Sequence, residues 1–436
     1  MNIKYYFKNF TILTTVLFLC AGFSFAQTAK FAAPRQEKLL NGLKLLTWTE
    51  PNAEKVTVKL RIHSGSAFDP QAKEGTMALL GDSLFPDETV KGFFRDELSG
   101  EFDVKSNFDY IQINATANSD KILDVLETLA NAVSNLQINK EITAKVRSAR
   151  LEKVKELEKD PSYIADLAVA KRLYGDFPYG RAQMGTSESL QKIDFADLIF
   201  ARQRFLTPDN ATLTVVGNVK PDFVYRAVRR YFGAWEKADK KVPATFRQPD
   251  APLSEKQLIE LPNIEKVEIY QASRYMARNN KDYQAGLILA GILFERLKNS
   301  AADVQISDAD FQTNIFVRNE THLLDGSFVI EIKLPADKAT AFIEKIRQPF
   351  LLRKISDAEF EKSKTSRISE MNQSLSEKTT LAELWLNADT YQLISVKDEI
   401  SKLNSVTLAD VQRVAENLQK QTVVSVVVKK SEETKK

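Results

Sequence analysis

"GTMALLGDSLF", from Gly75 to Phe85, opens like a buried helix and then carries Gly81 in its middle with Asp82 beside it. Glycine in a helix interior costs about 1 kcal/mol relative to alanine. A carboxylate next to it adds a charge to a stretch that is otherwise mostly small and apolar. A helix built only to fill a core has no use for either residue, so this stretch asks for another explanation.

The sequence on either side has a regular order. Before it, Val56, Val58, Leu60 and Ile62 alternate with Thr57, Lys59, Arg61 and His63, the pattern of a half-buried strand. After it, Phe108 to Ala117 alternates as a second strand. Ile122, Val125, Leu126, Leu129, Val133 and Leu136 then recur at helical spacing behind the cap residues Ser119 and Asp120. A charged helix follows from about Asn139 to Glu158, stopped by Asp160-Pro161, and another from about Ser162 to Tyr174. Ala211 to Val216 reads as an apolar strand and Pro221 to Phe232 as a helix. Trp235 to Gln257 changes character, with Pro243, Pro249 and Pro252, many charges and few aliphatics, and reads as a linker.

Beyond the linker the order repeats. Strands are expected at Lys266–Gln271, Phe311–Arg318 and Ser327–Leu334, and a nearly all-apolar helix at Asp282–Asn299. Further helices are expected at Ala336–Phe350, Asp357–Leu375, Leu381–Leu393 and Thr407–Leu418, and a closing strand at Thr422–Val428. This is a structural duplication with little residue identity. The whole chain of 436 residues, 43% hydrophobic and 27% charged, has ample core for it.

Residues 1–26 stand apart. Lys4 and Lys8 precede an apolar run from Phe10 to Phe25, and Ser24-Phe25-Ala26 offers small residues where a signal peptidase reads. A secretory signal peptide is expected, and with it a periplasmic destination and no membrane attachment after cleavage. Cleavage removes two lysines and takes the net charge of +3 to +1. The only cysteine, Cys20, leaves with it, so the rest of the chain has neither disulfide nor thiolate metal site. A mixed surface of both signs offers no nucleic-acid footprint.

Three segments carry a resemblance: GSAFDPQAKEGTMALLGDSLF (Gly65–Phe85), GDFPYGRAQMGTSESL (Gly175–Leu190) and LTPDNATLTVVGNV (Leu206–Val219). In this order and spacing the chain resembles the insulinase-like (pitrilysin, inverzincin) zinc metallopeptidases over nearly all of its length after residue 26. The resemblance implies an α+β fold. Two homologous lobes, each a pair of αβ-roll-like subdomains of sheet and helices, form a clamshell around a chamber. The lobes fall at residues 27–237 and 258–428, joined by the linker 238–257, with the metal helix at 75–90 and a charged tail at 429–436.

Family chemistry sits in an H-x-x-E-H motif on that first helix. Histidines at i and i+4 share a face and bind one zinc ion; the glutamate before the second acts as general base. Threaded on Gly75 and Leu84-Phe85, the first histidine place is Ala78, the base place Gly81 and the second histidine place Asp82. The third ligand falls near Leu151–Val154, where Glu152 and Lys153 compete. Alanine and glycine neither ligate nor accept a proton, so no catalytic residue and no resident zinc are expected. Zinc enters only if a partner supplies it or the site is rebuilt, for which Asp82, Glu152 and His63 are the available donors. His63 otherwise reads as a solvated or chamber-facing residue, Asp82 as a carboxylate pairing locally, and His322 lies near a hairpin turn.

In the second lobe the family offers an arginine and a tyrosine near the scissile bond. The matching stretch LKNSAADVQ places Lys298 and Gln305 there, with Arg296 as an alternative for the arginine. In the first lobe a strand edge beside the metal helix pairs with substrate backbone. Here it is Gly100, Glu101, Phe102, Asp103, Val104, Lys105 and on to Asn107, whose charges serve either docking or protection of the edge. The expectation is therefore a non-catalytic family member, paired with a zinc-bearing homologue or holding unfolded peptides. An active peptidase with relocated ligands and a structural scaffold are the rivals.

Overall fold

The computed structural model describes residues 31–238, 246–262, 264–346 and 352–431. The expected signal peptide, part of the linker and the last five residues lie outside these. The first sheet comprises β1 (Arg35–Lys38), β2 (Lys44–Thr49), β3 (Lys55–Ile62), β4 (Phe102–Ser106), β5 (Ile111–Asn118) and β6 (Ala211–Gly217), in the order β1-β2-β6-β3-β5-β4. The second comprises β7 (Gln257–Leu261), β8 (Val267–Arg274), β9 (Ile315–Glu320), β10 (Ser327–Leu334) and β11 (Val424–Lys430), in the order β7-β11-β8-β10-β9.

The duplication is visible in the pairing. β2-β6-β3-β5-β4 superposes in topology on β7-β11-β8-β10-β9, and the senses agree. β6 runs parallel to β2 as β11 runs parallel to β7, and every other pair in the two series is antiparallel. The two homologous lobes are thus α+β, of the two-lobed clamshell type.

Each lobe also gives one helix to the other. Helix Pro161–Tyr174 packs Ala165, Val169, Leu173 and Tyr174 against Tyr270, Ala272, Val424, Val426 and Val428 of the second sheet. Its counterpart, helix Lys378–Thr390, lies on the first sheet. There Leu381, Ala382 and Ala388 share a core with Leu46, Trp48 and Val216, and Trp385 meets Trp48 edge-on at 6.4 Å.

This exchange corrects the reading of β3 as a half-buried strand. Its apolar residues Val56, Val58, Leu60 and Ile62 are buried against the first lobe's helices, as expected. Its polar face is covered as well. Lys59 and Arg61 pair with Glu383 at 2.6 and 2.5 Å, and Arg61 also donates to Asn387 Oδ1 at 2.7 Å. Lys44 pairs with Asp389 at 2.7 Å. His63, expected to be solvated or chamber-facing, is partly buried, its ring 3.0 Å from both Thr390 Oγ1 and Thr212 Oγ1.

Several boundaries also differ from expectation. Phe311 is helical (Asp308–Asn314), and the strand begins only at Ile315. The closing strand runs to Lys430, taking in the first residues of the expected tail. Gln257, the expected end of the linker, already belongs to β7, which completes the second sheet beside β11. Strands β1 and β2 and helices Phe195–Phe205 and Val396–Ser405 lie outside the expected elements, although Val396, Ile400 and Leu403 recur at helical spacing.

Candidate functional site

Helix Thr76–Leu84 ends at Leu84, and a second helix, Thr89–Asp96, follows a break, so the expected metal helix 75–90 is two elements. The chain enters the first through Gly75 at φ +95°, where a side chain would also press on Gly185 Cα at 3.0 Å and Leu190 at 2.8 Å. Only glycine fits that entry. The buried Asp69 carboxylate then caps the helix, accepting from Gly75 N and Met77 N at 2.7 Å each. Burial pushes its carboxyl up to about 7, against the pull of those two amides.

Three of the threaded positions lie on this helix. Ala78 and Gly81 are buried and supply no donor side chain. The helix runs unbroken through Gly81, and a β-carbon there would meet Ile111 and Val104 at 3.5–4.0 Å, ordinary contact. Gly81→Ala should therefore stabilise the protein by about 0.5–1 kcal/mol, read as an upward shift of the urea midpoint. A lower midpoint would show that the helix needs the glycine.

Asp82 has a partner the sequence reading missed. Arg150 Nε donates to Asp82 Oδ2 at 2.8 Å and its Nη2 lies 2.7 Å from Oδ1, a two-pronged pair. Nη2 also donates to the Ala78 carbonyl at 3.3 Å, and Nη1 reaches Met184 Sδ at 3.2 Å. The signal was present: Thr143, Val146, Arg150 and Val154 form the buried stripe of helix Lys140–Leu157. An arginine on such a stripe requires an anion opposite.

The two candidates for the third ligand are on the wrong side of that helix. Glu152 and Lys153 are exposed, and Glu152 is paired with Lys155 at 3.0 Å. The fall-back donor set is also dispersed: Asp82 faces Arg150, Glu152 faces solvent, and His63 sits under the other lobe's helix. Burial, with help from Arg61 and Lys44 and against Asp389, lowers the His63 ring to about 4. His322 crosses to the first lobe, with Nδ1 2.9 Å from the buried Asp109 carboxylate and its ring over Tyr179 at 4.6 Å. Among the described residues no three His, Cys, Asp or Glu side chains gather. The residues present do not fit a divalent cation: the one carboxylate at the ligand positions is already held by a guanidinium.

The second-lobe candidates are engaged within their own lobe. Lys298 pairs with Asp308 at 3.5 Å, and the exposed Gln305 takes a left-handed turn at φ 57° after helix Tyr283–Asp303. Arg296 is buried, clamped to Glu359 at 2.7 Å and to the carbonyls of Arg353 and Lys354. Hydrogen bonding from Arg296 holds the Glu359 carboxyl down at about 2.

The edge candidate is a strand edge. β4 ends the first sheet. Glu101 and Asn107 bond to β5 at Thr116 and Tyr110, so by alternation Phe102, Val104 and Ser106 turn their amides and carbonyls outward. Gln183 covers the Ser106 carbonyl at 2.8 Å; among the described residues no group bonds those of Phe102 and Val104. Phe102 and Val104 pack toward the helix layer. Asp103 and Lys105 line a cavity of about 510 Å³ with Lys59, Gln112, Asn114 and Glu383.

The duplicated α+β fold defines the class: a protein of two homologous lobes. Family models match on both lobes, "Insulinase (Peptidase family M16)" over residues 44–187 and "Peptidase M16 inactive domain" over residues 192–367. The chain belongs to the insulinase family, peptidase family M16. A Rickettsia felis protein described as an uncharacterized zinc protease is 24% identical over 216 residues, 48% of this chain and 52% of that one. The chain thus spans about half the length of the curated relatives it matches. The crystal structure of a protease from Helicobacter pylori is similar with a TM-score of 0.81 at 18% identity, covering 91% of this chain and all of that one. The periplasmic protease PqqL from Escherichia coli gives a TM-score of 0.72 at 13% identity, over 92% of this chain but 48% of PqqL. At these identities the solved structures speak for the fold.

Proposed function

We propose that this chain is a non-catalytic insulinase-family subunit that docks extended peptide along β4 and works in the periplasm beside a zinc-bearing homologue. One observation carries the reading: at the metal position the side chains are Ala78, Gly81 and an Asp82 already neutralised by Arg150. Without ligands there is no activated water, and loss of a general base alone typically costs about 10²–10⁴ in rate.

The peptide part rests on the outward amides and carbonyls of Phe102 and Val104, which can add a strand without any chemistry. The partner part rests on size. The edge cavity of about 510 Å³ and another between the lobes of about 340 Å³ hold a few side chains each, so enclosing an unfolded peptide takes a second body. This chain matches about half of a periplasmic protease, which fits a unit that works in pairs. The segment read as a signal peptide agrees with that compartment.

Metal analysis of the purified protein is the direct test. Less than stoichiometric zinc and no chelator-sensitive peptide cleavage are expected. One tightly held zinc per chain with cleavage abolished by a chelator would falsify the non-catalytic reading in favour of relocated ligands. Val104→Pro tests the docking edge. It removes one outward amide and leaves the β5 ladder intact, as an edge position allows. Affinity for an extended peptide should fall at least about fivefold, measured by fluorescence anisotropy, since a hydrogen bond left unmade at an interface costs about 1–3 kcal/mol. Unchanged affinity would leave the edge as protected surface and favour a scaffold.

A further inference from the structure

We propose that Arg150 has taken the metal's place: its guanidinium is the resident cation of this site, ties helix Thr76–Leu84 to helix Lys140–Leu157, and keeps divalent cations out. The inference rests on the non-catalytic reading above and goes further, because it says what replaced the ion.

The geometry matches that of a metal bridge. In the zinc pattern, positions i and i+4 of the first helix hold a cation together with a group from the later helix. Here the same two positions hold one. Asp82 supplies both carboxylate oxygens, at 2.7 and 2.8 Å, and Ala78, having no donor side chain, supplies its backbone carbonyl at 3.3 Å. The cation comes from the later helix itself. Met184, from the segment after helix Pro161–Tyr174, adds its thioether at 3.2 Å. The Arg150 side chain is 7% exposed while Asp82 keeps 31%, so the fixed positive charge is the inner member and solvent reaches the pair from the carboxylate side. An arginine never gives up its proton in such a setting, so an incoming divalent ion meets a permanent like charge. An ordinary surface ion pair would have neither the buried cation nor the carbonyl contact. The loss of ligands and the gain of Arg150 are then one change: the guanidinium pairs with the half-buried Asp82 carboxylate and adds a contact to the Ala78 carbonyl.

The test restores the donors with and without the guanidinium. One protein carries Ala78→His, Gly81→Glu, Asp82→His and Val154→Glu, the last on the same buried stripe as Arg150, and keeps Arg150; a second adds Arg150→Ala. Each is equilibrated with zinc, desalted and assayed for metal per chain, with circular dichroism to confirm the fold. The first should retain almost no zinc and the second about one zinc per chain, as a closed set of donors does. Equal zinc in both, or none in the second, would overturn the role of Arg150 as the excluding charge. A second comparison needs no rebuilt site. In the natural chain, Arg150→Lys keeps the charge and Arg150→Met keeps the bulk. The lysine variant should retain the higher melting temperature, and the reverse order would show that Arg150 only fills space. The outcomes separate the two readings. Zinc in the natural chain sinks the non-catalytic function. No zinc there, but zinc in the donor-restored protein that keeps Arg150, sinks this inference alone.

Discussion

Arg61→Ala is expected to cost about 3–5 kcal/mol, because it removes the buried member of an ion pair, leaves its acceptors underbonded and opens a cavity. Arg61 is 0% exposed, the largest fully buried side chain among the described residues. Its Nε donates to Gln112 Oε1 at 2.5 Å, and its Nη groups to Glu383 Oε2 at 2.5 Å, Asn387 Oδ1 at 2.7 Å and Thr390 Oγ1 at 3.3 Å. The guanidinium lies 3.9 Å from the centre of the Tyr110 ring. One of its acceptors, Gln112, lies on the neighbouring strand β5 and three lie on the other lobe's helix, so the side chain is a rivet through the seam. Burial works to raise the Glu383 carboxyl, but Arg61 and Lys59 outweigh it and hold it low. Without Arg61, Glu383 keeps only Lys59 and Gln112 while a guanidinium-sized hole opens beside it. Urea unfolding measures the loss. Arg61→Met combined with Glu383→Gln removes both charges and keeps volume, and should recover at least half of it. A cost below about 1 kcal/mol for Arg61→Ala would mean that the seam is wet and the pair ordinary.

What the sequence revealed and what it concealed divide along the same seam. The alternation of β3, the stop at Asp160-Pro161 and the repeat of element order are local, and they led to two lobes whose sheets share one topology; the expected caps Ser119 and Asp120 instead form a 3-10 turn before the helix that starts at Ile122. The positions Ala78, Gly81 and Asp82 were legible because Gly75 and Leu84-Phe85 fix a short helix. Tertiary pairing was not legible in the same way. Thr57, Lys59, Arg61 and His63 alternate as a solvated face should, and nothing within β3 says that a helix more than three hundred residues later covers it. That helix did carry a matching signal, since Glu383, Asn387 and Thr390 share one face at helical spacing. Matching two polar faces requires knowing that the lobes exchange helices. Arg150 was missed for a different reason. A search for ligands looks for electron-pair donors, and the replacement is a cation, one residue before the window where the donor belonged.

Acid should loosen the same seam through His63, and the comparison with His63→Gln isolates it. The ring stands among Asp389, Arg61 and Lys44, between the hydroxyls of Thr390 on the other lobe's helix and Thr212 on β6. Burial first, then the positive charges of Arg61 and Lys44, lower it to about 4, while Asp389 pulls the other way. An unfolded chain takes up a proton near pH 6.5, and the native chain does not until about pH 4. Between those values the unfolded state binds more protons, so stability rises with pH and is lost as pH falls through the window. At 1.36 kcal/mol per unit the contribution is on the order of 3 kcal/mol, fully present above pH 6.5 and gone near pH 4. Asp69 acts in the opposite sense. Its carboxyl, raised to about 7 by burial, holds a native proton that the unfolded chain has lost, and so favours the native state as pH falls. Total stability therefore mixes the two groups, but the difference between wild type and His63→Gln cancels Asp69. That difference should be largest at pH 7.5 and shrink by on the order of 3 kcal/mol by pH 4, followed by urea unfolding at each pH. A difference that stays constant across the range would show that His63 titrates alike in both states, and the ring would then be open to water through the seam.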